Sequence, residues 1–96
     1  MIVKKHKHEN KLILSVCDND LIDKKFEEGN LQLDLTQDFY KGEEANEDDV
    51  VKLVEIAQCA HVIGEKSVSL LVSKGIVKEE HVKKVSGIPH VEIFKV

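Results

Sequence analysis

The sequence predicts an α+β fold: a two-layer sandwich, with a mainly antiparallel sheet of four to five strands under one long helix and one short helix. Three observations predict it. Apolar residues recur at helical spacing over residues 46–75, while elsewhere they alternate or sit in short runs bounded by turn residues. A length of 96 residues suffices for one modest core, so 1–96 reads as a single domain. Three Phe, one Tyr and no Trp leave that core to Val, Leu and Ile.

Residues 2–7 and 11–17 read as two strands joined across His8-Glu9-Asn10, a loop short enough for a hairpin. The first alternates strictly, with Ile2, Lys4 and His6 on one face and Val3, Lys5 and Lys7 on the other. The second is almost continuously apolar, which predicts an outer strand beside an inner one. Residues 18–29 read as a turn and a short helix, capped by Asp18, Asn19 or Asp20, apolar at Leu21, Ile22 and Phe26, and stopped by Gly29. Leu31, Leu33 and Leu35 alternate with polar residues and form a third strand. Phe39-Tyr40-Lys41-Gly42 is a turn whose ring pair either plugs the sheet edge or touches a ligand.

The long stretch opens on Asn46, an N-cap, followed by Glu47, Asp48 and Asp49 at the positive end of the helix dipole. It stops at Lys74-Gly75. Val50, Leu53, Val54, Ala57, Ala60, Val68, Leu71 and Val72 fall on one stripe facing the core. A second strip, Ile56, Cys59, Ile63 and Leu70, requires either a partner, such as a second copy forming a homodimer, or a break at Gly64. Gly inside a helix costs roughly 1 kcal/mol relative to Ala, which favours the break. Ala57, Ala60 and Gly64 leave a lane of small residues: a close packing surface, or a recess with His61 and Glu65, an i, i+4 pair, at its lip. Residues 76–77 tuck under the helix, 78–81 form a loop or helical turn, 82–86 a strand, Gly87-Ile88-Pro89 a turn, and 90–96 the last strand.

The net charge of −4 speaks against a generic nucleic-acid binder. Every basic residue is Lys, so the planar fork of arginine is missing. There is no apolar run of membrane-spanning length and no signal-type segment, which predicts a cytosolic chain with no membrane contact. Cys17 and Cys59 then read as free thiols, and no cofactor is implied. Cys17, Cys59, Ser67, Ser69 and Ser73 lack a nucleophile's setting, and no Gly-rich phosphate loop is present. A metal site requires His6, His90 and Cys17 to converge across strands; on a helix, Cys59 and His61 point about 200° apart and cannot share an ion. If the first and last strands are neighbours, Lys4, Lys5, Lys7, Lys84 and Lys95 gather with His6 and His90 into a phosphate-binding patch. Alternatively, edge lysines deter aggregation.

Taken in order, Val-Lys-x-His (Val3 to His6), Phe-Tyr-x-Gly (Phe39 to Gly42), Ala-x-x-Ile-Gly-Glu (Ala60 to Glu65) with Val68 following, and Gly-Ile-Pro-His (Gly87 to His90) resemble an archaeal family, domain of unknown function 424. The resemblance spans essentially the whole chain. It implies an archaeal, cytosolic, stand-alone domain without assigned activity, whose gene neighbourhood points to translation, RNA or the ribosome. Its pattern falls on His6, Phe39, Tyr40, Gly42, Gly64, Glu65, Gly87, Pro89 and His90. His61 stands where the family has asparagine, and Lys41 where it has a second glycine. Residues and resemblance together predict a non-catalytic accessory protein binding RNA or a ribonucleoprotein through Lys4, His6, His61, Gly64, Glu65, Pro89 and His90. The alternative is a small metal- or ligand-binding protein or enzyme centred on His6, His90 and the His61–Glu65 lane.

Overall fold

The computed structural model describes residues 1–95. Strands β1 (Ile2–His8) and β2 (Lys11–Cys17) form the expected hairpin, with Ile2 opposite Cys17 and His8 opposite Lys11. Its loop residues Glu9 and Asn10 both take positive φ (50° and 69°), the backbone of a two-residue turn that follows strand twist. A second hairpin, β3 (Lys25–Glu28) and β4 (Leu31–Asp34), forms a separate two-stranded sheet. β5 (Glu43–Glu44) pairs with Ile2 and Val3. Then follow α1 (Glu47–Ile56), β6 (Cys59–Ile63), α2 (Glu65–Ser73), β7 (Lys83–Val85) and β8 (Ile88–Phe94). The main sheet has six strands in the order β5-β1-β2-β6-β8-β7; β2 and β6 run parallel and the other neighbours antiparallel.

The stretch expected as one long helix, with a break favoured at Gly64, is indeed two helices, the second starting after Gly64, but residues 59–63 between them form a strand rather than helix. Residues 59–63 extend because they pair with β2 on one side and β8 on the other, as a central strand must. Ala60 and Val62 turn inward with the helical stripe, Ile63 turns to the other face, and the run Val62-Ile63 is β-branched. Asn46 Oδ1 does accept the Asp49 N–H (2.8 Å), as an N-cap should. α1 has no glycine at its C-terminus; Lys95 Nζ instead donates to the carbonyls of Val54 (3.1 Å) and Glu55. α2 ends in a Schellman cap, with Gly75 (φ 73°) donating to Val72 O and Ile76 to Leu71 O.

α1 and α2 cover one face of the sheet over Val3, Leu14, Val16, Ala60, Val62 and Val91. The second apolar strip dissolves: Ile63 and Leu70 are buried in the core and only Ile56 is exposed. The apolar strip on which a homodimer through the helix was expected is therefore not one surface of the folded chain. The short helix expected over 18–29 is a 3-10 turn (Asn19–Leu21) followed by β3, because Phe26 and Leu33 must pair across the second hairpin. That hairpin covers half of the sheet's other face, over Cys17, Ile63 and Val85. Among the described residues, the remaining half is covered in part by residues 38–40 and is otherwise open.

Candidate functional site

Residues paired directly across strands share a face. On the open face, β1 contributes Lys4, His6 and His8, β2 Ile13 and Ser15, β6 Cys59 and His61, β8 His90, Glu92 and Phe94, and β7 Lys83. A 3-10 turn, Asp38–Tyr40, lays Phe39 and Tyr40 across them. Gly42 is what lets this turn sit down on β1. A Cβ there would fall 1.9 Å from the Val3 carbonyl oxygen, so no other residue fits the Phe-Tyr-x-Gly segment. The Phe39 carbonyl accepts from His6 Nε2 (3.0 Å) and from Ser15 Oγ (3.0 Å), fixing its place over β1 and β2.

The result is a row of rings across the sheet. His6 stacks on Phe39 (centroids 4.1 Å apart, planes 8° apart), Phe39 meets Tyr40 edge-on at 5.1 Å, Tyr40 meets His61 at 6.1 Å, and His61 meets His90 at 5.5 Å. Polar contacts run along the same line: Tyr40 Oη lies 3.4 Å from His61 Nδ1, and His61 Nε2 lies 3.4 Å from His90 Nδ1. Two proton arrangements satisfy both: donation runs from Tyr40 through His61 to His90, or from His90 through His61 to Tyr40. Burial lowers the pKa of both imidazoles from the ordinary 6.5, against the pull of Glu92, which favours the charged forms. Burial raises Tyr40 above the usual phenol range. Tyr40, His61 and His90 are thus neutral at pH 7, offering rings, N–H donors and acceptors. Glu92 forms no ion pair among the described residues.

Beside the row, Ile13, Phe39, Tyr40, Cys59, His61 and Phe94 border a cavity of about 290 Å³. Phe94 is 73% exposed although it sits in a strand facing this cavity. Among the described residues, no other ring stacks on Phe94.

The expected site residues separate into two groups. His6, His61 and His90 lie in the one row, and Lys4 shares their face. Gly64, Glu65 and Pro89 do not belong to it; they build the start of α2. Asp18 reaches from the end of β2 to accept the N–H groups of Lys66 (3.0 Å) and Ser67 (2.8 Å) and the Ser67 hydroxyl (2.7 Å). Gly64 (φ 113°, ψ 154°) lies against that carboxylate, and its N–H donates to the Pro89 carbonyl at 2.8 Å. The helix N-terminus is therefore filled by the chain's own carboxylate, and the His61–Glu65 helix lane does not exist.

Three further expectations are corrected. β2 and β6 separate β1 from β8, so the basic patch does not assemble: Lys5, Lys7 and Lys84 face the helix side and Lys95 is engaged by α1. Cys17 is buried beneath the second hairpin, on a different part of the sheet from the row. Cys59 and His61, placed back to back by a helix, share one face as strand residues. Among the described residues, no group of three or more His, Cys, Asp or Glu is arranged to hold a metal ion. Sequence reasoning missed Ser15, Glu92 and Phe94. Phe94 was legible as the outward residue of an alternating last strand; Ser15 and Glu92 depended on strand order.

A small α+β domain with two helices on one sheet face and a half-open ring-lined second face is the class that fold and site define. The chain belongs to the family described as "Protein of unknown function (DUF424)", whose model matches residues 6–96. Its fold is similar to that of an uncharacterized conserved protein from Methanopyrus kandleri, known from a crystal structure. The two share 23% sequence identity with a TM-score of 0.79, covering 96% of this chain and 88% of that one. No curated protein matches the chain. Among the described residues, no helix is long and apolar enough to cross a membrane.

Proposed function

We propose that this chain is a non-catalytic binding protein that takes unpaired RNA bases on the open half of its sheet. The observation that carries the reading is the row of rings from His6 to His90, with a cavity beside it against which Phe94 stands exposed. Exposed aromatic rings on an open sheet face are a stacking platform for unpaired bases, each such stack being worth about 1–3 kcal/mol. His90, Tyr40 and Glu92 supply an imidazole nitrogen, a hydroxyl and a carboxylate acceptor for base edges. Lys4, Lys11 and Lys83 share that face by register and stand ready for phosphates. This local set outweighs the chain's overall acidity, since a ligand senses the nearby field. A cytosolic setting, in which Cys17 and Cys59 stay reduced, fits the same reading.

The test is fluorescence anisotropy with a short end-labelled single-stranded RNA of mixed sequence. Binding is expected at about 50 mM salt and should weaken at about 200 mM, with a log–log slope near −2 if three lysines each meet a phosphate. Phe94→Ala, at an exposed position, should weaken binding at least about fivefold while leaving the fold intact. No binding at low salt, or binding that ignores Phe94→Ala, contradicts the proposal.

A further inference from the structure

The outer edge of β1 carries a second, independent interaction surface. β5 is two residues long and pairs only with Ile2 and Val3, and among the described residues no strand lies beyond Lys4–His8. The direction of the backbone groups follows from two observations. Ala45 N–H donates outward to Met1 O at 2.8 Å, and the two-residue loop makes His8 and Lys11 a hydrogen-bonded pair directed at β2. By strand alternation, odd residues of β1 point their N–H and C=O groups outward and even residues point theirs at β2. Lys5 and Lys7 therefore present a free ladder edge. A groove of about 850 Å³ runs beside it, bordered by Lys4, Lys5, Lys41 and Lys52 and by the carboxylates Glu43, Glu44 and Asp49.

We propose that this edge is a docking site for an acidic, extended peptide segment of a partner protein, which adds a strand in line with β5. The charge of the occupant follows from the edge, where Lys4, Lys5 and Lys7 stand within four residues. The fold already contains the pairing in miniature: its own Glu43–Glu44 strand occupies the first two places on this basic strand. A second copy of the chain does not fit. Two β1 edges side by side would set lysine against lysine, and like charges opposite one another are destabilising. Strand addition takes its affinity from main-chain hydrogen bonds, here those of Lys5 and Lys7, and its selectivity from the flanking side chains.

The experiment uses the whole chain, 15N-labelled, with three synthetic peptides of about eight residues: alternating Val and Glu, alternating Val and Lys, and the acidic peptide with a central proline that cannot complete a ladder. The acidic peptide is expected to bind and to slow amide exchange at Lys5 and Lys7 about tenfold or more, while the other two do neither. The double variant Lys5→Glu/Lys7→Glu should weaken binding about tenfold or more with unchanged spectral dispersion. Lys7→Pro removes one outward donor without touching the β2 ladder and should also abolish the protection. Three results overturn the proposal. The acidic peptide fails to bind, which leaves the lysines as guards against edge pairing; or it binds without slowing exchange; or a single-stranded RNA protects these amides in its place.

Discussion

Asp18 and Gly64 show how strictly one residue can depend on another in this fold. The carboxylate lies so close to the Gly64 backbone that a Cβ would fall 2.3 Å from its carbon, and the Gly64 torsions belong to a region that only glycine occupies comfortably. Gly64→Ala should destabilise the chain by at least about 2 kcal/mol, combining backbone strain with displacement of the Asp18 cap, as read from urea unfolding. Asp18→Ala should cost about 1–3 kcal/mol, and Asp18→Asn less because one acceptor remains. Equal losses for the two Asp18 variants would refute the cap. The cysteines differ in the same residue-level way. Burial and the neighbouring Asp18 push the Cys17 thiol up to about 11, while Cys59 is partly exposed at the cavity beside the row. A thiol reagent at pH 8 should modify Cys59 alone in the native protein and both cysteines after denaturation. Rapid modification of Cys17 in the native state would contradict its placement under the second hairpin.

At the scale of elements, the decisive feature is the strand that interrupts a helical pattern. Val50, Val54, Ala57, Ala60, Val68 and Leu71 are all in the core that the sequence pattern predicts, yet Ala60 reaches it from a strand. Five residues are too few to separate a strand from a helix by periodicity, and the alternation of Cys59 to Ile63 is blurred because Ile63, on the face of Cys59 and His61, is buried under the second hairpin. The Asn46 cap, the Gly75 stop, the Glu9-Asn10 hairpin and the alternation of β1 rest on local chemistry, and they were legible for that reason. Strand order is set by long-range pairing, so the meeting of His6, His61 and His90 through Phe39 and Tyr40 was not. Neither was the role of Asp18, whose partners lie 48 and 49 residues away. The placement of β6 between β2 and β8 makes a direct prediction. Its amides should exchange among the slowest in the chain, since they open only with the whole sheet. Exchange at Val62 as fast as at the ends of α1 would show that the segment is not a central strand.

For the whole molecule, the ring-lined half-face sets how stability depends on pH. Burial lowers the His61 and His90 pKa values below 6.5 in the folded chain, so the unfolded chain binds more protons just below that value. Stability is fully present above pH 6.5 and is lost as the pH falls through the folded values. The groups around the pair are Tyr40, Glu92 and Lys83; Glu92 moderates the loss and Lys83 adds to it at His90. Glu44, held below its ordinary value by hydrogen bonds from Asn19 and the N-terminus, contributes only in a more acidic range, below 4.5. Thermal midpoints should therefore fall between pH 7 and 5, and fall less in the double variant His61→Phe/His90→Phe. An equal fall in both proteins would place the titrating groups elsewhere.

The most direct test of the account as a whole is a map of the surface that RNA touches, made by titrating an isotope-labelled sample with a short single strand and following backbone and ring resonances. The shifts are predicted to cluster at His6, Phe39, Tyr40, His61, His90, Glu92 and Phe94, with Ile56 and the outer faces of α1 and α2 unmoved. Shifts centred on the helices, or an unchanged spectrum at saturating RNA, would contradict the assignment of the ring-lined face as the binding site.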